Sequence, residues 1–84
     1  MLLPTVRQLS HLVALARCGT FTAAAEACHV TQSAFSSSIQ ELEAVLGVKL
    51  AERSARGAEL TAAGQEAVRR AEQVLADLVS LRDS

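Results

Sequence analysis

Phe35, Ile39, Leu42 and Leu46 stand four, three and four residues apart, the spacing that stacks side chains along one face of an α-helix. Such a stripe commits the segment from Gln32 to Leu46 to a helix, and Thr31 before it and Gly47 after it supply a cap at either end. Five of the seven residues from Gln32 to Ser38 are nevertheless glutamine or serine. Serine costs a helix interior about 0.5 kcal/mol per position relative to alanine, because its hydroxyl competes for backbone hydrogen bonds. A helix that tolerates this has another use for small polar side chains.

The segments around it set the fold class. Thr5-Val-Arg-Gln8 fits a capping box, and Val6, Leu9, Leu12, Val13 and Ala16 then recur at helical spacing until Gly19 closes the helix. Thr20 or Thr22 caps a short helix through AAAEAC, which stops at His29 and Val30. Two helices so closely joined, the second capped and amphipathic, form a helix-turn-helix. The run KLAERSARGAEL then holds two short extended segments around a Ser-Ala-Arg-Gly turn, a hairpin that must lean on the helices for support.

Thr61 caps a last helix to about Leu81. Gly64, Ala67, Ala71, Val74, Leu78 and Leu81 advance along it in steps of three, four, three, four and three, a heptad seam, with Val68, Leu75 and Val79 widening the apolar face. Such a face either pairs with a second copy or folds back over its own domain. At 84 residues the chain is near the lower end of what buries a core alone, so pairing is favoured, through Ala67, Ala71, Val74, Leu75, Leu78 and Leu81. The reading is mainly α: residues 1–60 a winged helix-turn-helix with a two-stranded wing, residues 61–84 a long linker helix that dimerises.

Several function classes are set aside. The opening MLLP has no positive n-region, and no segment approaches the roughly 18 apolar residues of a membrane span, so a cytosolic chain is expected. Cys18 and Cys28 are too few for a zinc framework and read as buried spectator thiols. His11 and His29 have no partners at metal-ligand spacing. No nucleophile, base and acid set, paired carboxylates or glycine-rich phosphate loop is present, so no enzyme, cofactor or metal is expected.

The formal net charge of −1 is unusual for a nucleic-acid binder, which neutralises phosphates with Lys and Arg. Its distribution matters more: the local basic excess with turn chemistry around it is Lys49, Arg53 and Arg56 against Glu52 and Glu59. Opposite its buried row, the third helix presents Gln32, Ser33, Ser36, Ser37 and Gln40. Short hydroxyls and a glutamine suit a recognition helix in the major groove, where Gln pairs with adenine and Ser bonds to bases or phosphates. The bland alternative is a solvated polar face.

The segment FTAAAEACHVTQSAFSSSIQELEAVLGVKLAERSARGAELTAAG closely resembles the N-terminal domain of LysR-type bacterial transcriptional regulators. It matches that family's Phe-Thr-x-Ala-Ala-Glu, Val-Ser/Thr-Gln, Ile-x-x-Leu-Glu-x-x-Leu-Gly-Val, Leu-x-x-Arg and Leu-Thr-x-x-Gly in order, and the HLVALA and CHVTQ runs are similar to its peroxide-responsive branch. The resemblance implies a winged helix-turn-helix that binds an interrupted palindrome in double-stranded DNA as a homodimer in the bacterial nucleoid. Carried over, Thr31, Gln32, Ser33, Ser36 and Ser37 would face DNA, with Thr22 at a phosphate and Arg53 and Arg56 reaching the backbone or minor groove from the wing. Family members continue into a ligand-sensing domain absent here, so the chain resembles a DNA-binding fragment, and any effector would act through that missing part.

Five positions depart from the family's pattern. Ser33 replaces a frequent proline, Ser37, Gln40 and Glu41 occupy positions often basic, and Ala51 stands where phenylalanine is usual. Fewer cations imply a shallower salt dependence of binding. A competing reading is a protein-interaction module built on the last helix's seam.

Overall fold

Helix boundaries in the computed structural model, which describes residues 2–84, follow the capping residues. Thr5 Oγ1 accepts from the Gln8 amide at 3.1 Å while Gln8 Oε1 accepts from the Thr5 amide at 2.9 Å, a reciprocal box that starts α1, Val6–Cys18. Gly19 ends it in the left-handed conformation. Of the two candidate threonines, Thr20 caps α2, Phe21–Ala27, by accepting from the Ala23 amide at 3.0 Å; Thr22 lies within the helix. His29, at φ 60, carries the chain through the turn. Thr31 then accepts from the Ala34 amide at 3.0 Å and opens α3, Gln32–Leu46.

The expected hairpin forms as β1, Ala51–Ser54, antiparallel to β2, Gly57–Leu60, in register from Ala51 with Leu60 to Ser54 with Gly57. It does lean on the helices. The Ala58 amide donates to Gly19 O at 2.9 Å, an approach so close that a Cβ on Gly57 would lie 2.6 Å from that oxygen. Glu43 Oε2 on α3 accepts from the Leu50 amide at 2.8 Å and from the Ala51 amide at 3.4 Å, so the start of β1 is tied to α3. Thr61 caps α4, Ala62–Asp83, and its hydroxyl also donates to Lys49 O at 2.7 Å.

The core joins Leu12 and Leu15 of α1, Phe21, Ala24 and Ala25 of α2, Phe35, Ile39 and Leu42 of α3, with Leu50 and Ala51 at the wing's base, and Ala58 and Leu60 of β2 and Ala67 and Val68 of α4 pack against it partly buried. Phe35 is fully buried, and the Phe21 ring meets it edge-on with centroids 5.9 Å apart, a favoured aromatic geometry.

Three expectations are corrected. Leu46 is 40% exposed and leaves the buried row, because α3 has by then run past the α1–α2 layer. Cys18 is exposed and only Cys28 is half-buried, since Cys18 falls in the last turn of α1. The heptad seam is divided. Gly64 and Ala71 are buried within this chain and Ala67 packs on the same core, whereas Val74, Leu78 and Leu81 are exposed and Leu75 is half-buried. The cause is visible at Gly64, where a Cβ would come within 2.0 Å of Leu50 O: small residues let the first turns of α4 settle onto the wing's base and α1. No described helix is long and apolar enough to cross a membrane.

Candidate nucleic-acid interface

The inward side of α3 is fastened by more than apolar packing. Ser38, 8% exposed, shares a 2.7 Å hydrogen bond with Nδ1 of His11, itself 6% exposed on α1. The His11 ring also lies 5.2 Å from that of Phe35. Burial, with the charge of Arg7 adding to it, holds the His11 pKa below the ordinary imidazole value. With Ser38 satisfied inside the protein beside Phe35, Ile39 and Leu42, the rotation of α3 about its own axis is set, and its opposite side is pointed outward.

On that outward side Gln32, Ser33, Ser37 and Gln40 are exposed and Ser36 is half-buried. With Arg53 they line one open hollow of about 450 Å³. Gln32 is steadied from α2, since Thr22 Oγ1 donates to Gln32 Oε1 at 3.3 Å, which leaves the amide's N–H groups free. Thr31 is exposed, but its oxygen already serves the helix cap. Gln32, Ser33, Ser36 and Ser37 thus share one surface, with Thr22 joined to it through Gln32.

The two wing arginines part company. Arg56 sits in the tight turn between β1 and β2, exposed, with its backbone amide donating to Ser54 Oγ at 3.2 Å. Arg53 instead folds back from β1: its Nη2 donates to Ser36 Oγ at 2.5 Å and its guanidinium carbon lies 4.0 Å from the centre of the Phe21 ring. Arg56 is thus exposed at the hairpin turn, whereas the Arg53 guanidinium lies against α3 and Phe21. A cleft of about 300 Å³ opens beside it, between α3 and β1, over Phe21, Ile39 and Ala51.

Ser38, His11 and Glu43 were missed as organisers of the surface. Ser38 carried a signal, because it lies three residues after Phe35 and four before Leu42 and so belongs to the buried row, where a hydroxyl needs a partner. His11, 27 positions away, and the Glu43 contact with β1 carried none. Burial, reinforced by Cys18, raises the Cys28 thiol pKa above its ordinary value. Among the described residues no three His, Cys, Asp or Glu side chains gather as a metal site.

A capped helix-turn-helix with a hairpin pinned beside its second helix is a winged helix-turn-helix. Residues 6–65 match the family described as bacterial regulatory helix-turn-helix protein, lysR family, and the chain belongs to that family. It is 48% identical over 71 residues to the HTH-type transcriptional regulator TfdT of Cupriavidus pinatubonensis, covering 84% of this chain and 31% of TfdT. It is 42% identical over 78 residues to the DNA-binding transcriptional dual regulator OxyR of Escherichia coli, covering 93% of this chain and 26% of that protein. The crystal structure of the CbnR_DBD–DNA complex superimposes with a TM-score of 0.90 at 43% identity, over 94% of this chain and 91% of that one. The chain thus spans between a quarter and a third of these two curated relatives' length.

Proposed function

We propose that this chain binds double-stranded DNA sequence-specifically on behalf of a bacterial transcriptional regulator, with α3 in the major groove. The observation that carries the reading is the one-sidedness of α3: Phe35, Ser38, Ile39 and Leu42 are buried, and Gln32, Ser33 and Ser37 are left outward, short and polar. Side chains this lean let a helix approach base edges closely. The likeness to a domain solved on DNA, at 43% identity, supports it. Arg56 meets the backbone or minor groove beside α3.

Binding is by a two-fold dimer on an interrupted palindrome, its two α3 helices entering successive major grooves about 34 Å apart. The distal turns of α4 supply the contact, through Val74, Leu75, Leu78 and Leu81. Next to them lies an apolar hollow of about 430 Å³ floored by Leu9, Leu50, Ala67 and Ala71 and edged by Leu46 and Val48. Pairing of distal turns across a two-fold axis covers both this hollow and the exposed leucines. An effector, if the whole regulator has one, acts through chain outside these residues.

Replacing Gln32 with alanine is expected to cost about 1–3 kcal/mol on a cognate duplex and to relax base preference. Gel shifts on cognate and scrambled duplexes check this; wild-type affinity for both would show that α3 does not read the groove. The competing use, a protein-interaction module on the exposed α4 leucines, predicts no retardation of any duplex at low salt.

A further inference from the structure

Arg53 leaves β1 and ends on α3, not at the hairpin tip. Phe21 beneath it is itself held, 8% exposed and edge-on to the buried Phe35. The guanidinium carbon lies 4.0 Å from the centre of the Phe21 ring, and the bond to Ser36 gives the group a second point of attachment. A guanidinium carries five N–H donors in a rigid fork, so after one goes to Ser36 the rest of the in-plane edge remains available. Arg53 lines the hollow shared with Gln32, Ser33, Ser37 and Gln40.

A phosphate contact needs charge and reach but no fixed plane, which is why lysine serves there as a point charge. A base edge needs a planar pair of donors at a set angle, and guanine offers two acceptors, O6 and N7, in the major groove. Ser36 adds to this bias. Its oxygen already accepts from Arg53, and the neighbouring positive charge disfavours the amino groups of adenine and cytosine. Arg56, with no side-chain partner among the described residues, has none of this preorganisation.

We propose that Arg53, positioned by Phe21 and Ser36, is a specificity residue of the α3 surface that selects a guanine edge in the major groove, leaving Arg56 as the wing's sequence-blind contact. This rests on the duplex-binding reading above.

The test is selection of duplexes from a random pool with the wild-type chain and with R53K, R53A and R56A, followed by affinity measurements on the recovered site. Wild type is expected to recover a motif with one guanine position per half-site at which R53K and R53A lose about ten- to a hundredfold discrimination, other positions keeping theirs. R56A is expected to weaken all sequences and keep the motif. Lysine retains the charge and Arg53 is exposed, so both variants are expected to keep the wild-type far-ultraviolet circular dichroism. Recovery of the wild-type motif by R53K and R53A, with a loss uniform over sequences, would overturn the Arg53 assignment alone. Failure of the wild-type chain to enrich any motif would overturn the duplex reading, and this assignment with it.

Discussion

Helices α3 and α4 each leave one face uncovered, and the two faces are opposite in chemistry. On α3 the uncovered side is Gln32, Ser33, Ser37 and Gln40; on α4 it includes Val74, Leu78 and Leu81, between 40% and 71% exposed. Removing the first from water gains little unless its donors and acceptors are matched by another polar surface. Removing the second gains about 25 cal/mol per Å² whatever apolar surface covers it. The contrast is what the proposed function draws on: a hydrogen-bonding lattice such as a DNA groove for α3, an apolar protein surface for α4. Under that proposal a dimer would join two weakly charged half-site contacts into one binding event.

The largest effect comes from breaking what makes α3 one-sided. Phe35→Ala removes a fully buried ring that contacts both Phe21 and His11, and is expected to destabilise the chain by about 3–5 kcal/mol. That is a large share of the roughly 5–15 kcal/mol available to a domain, and urea denaturation measures it. On the other helix, Leu78→Asp leaves the 40% exposed site soluble within one chain but puts a charge into the proposed contact. Sedimentation is expected to show dimer weakened by tenfold or more, from loss of about 1.5–3 kcal/mol of leucine burial. An unchanged association constant would remove α4's distal turns from the interface.

A subtler effect concerns the tie behind α3. Because burial, then Arg7, lowers the folded pKa of His11, the unfolded chain takes up its proton at a higher pH than the folded one. The stability this gives is complete above about pH 6.5 and is lost as pH falls through that value toward the lowered folded pKa. Urea midpoints between about pH 8 and pH 5 should therefore fall less steeply in His11→Asn than in the wild type; parallel slopes would contradict the buried neutral imidazole. The smallest effect is at the turn between α2 and α3. His29 holds φ 60, which costs a non-glycine residue about 1–2 kcal/mol, partly offset by glycine's greater chain entropy. His29→Gly is expected to gain about 0.5–1 kcal/mol in the same denaturation assay.

What could be read from the residues alone was local. The Thr5–Gln8 box, the Thr31 and Thr61 caps, the stops at Gly19 and Gly47 and the Ser-Ala-Arg-Gly turn each involve residues within a few positions, and the structure has them all. Whether Thr20 or Thr22 capped α2 depended on where Phe21 had to bury, a question for packing. The seam of α4 misled for a related reason: heptad spacing marks a face that wants covering but not what covers it, and Ala67 and Ala71 were covered by their own chain. The contacts that shape the candidate site, Arg53 to Ser36 and Phe21, His11 to Ser38 and Glu43 to Leu50, cross between elements. Ser38 apart, which its spacing puts in the buried row, no polar member of these pairs is marked as inward by its own spacing.

The most direct test of the assignment of α3 is a nuclear magnetic resonance titration of the intact chain with a duplex recovered by selection. Amide shifts are expected to concentrate at Thr31–Ser37 and around Arg53 and Arg56, with the Gln32 side-chain amide among the largest. Shifts confined to Val74–Leu81, or a Gln32–Ser37 segment that stays unmoved at saturation, would contradict it.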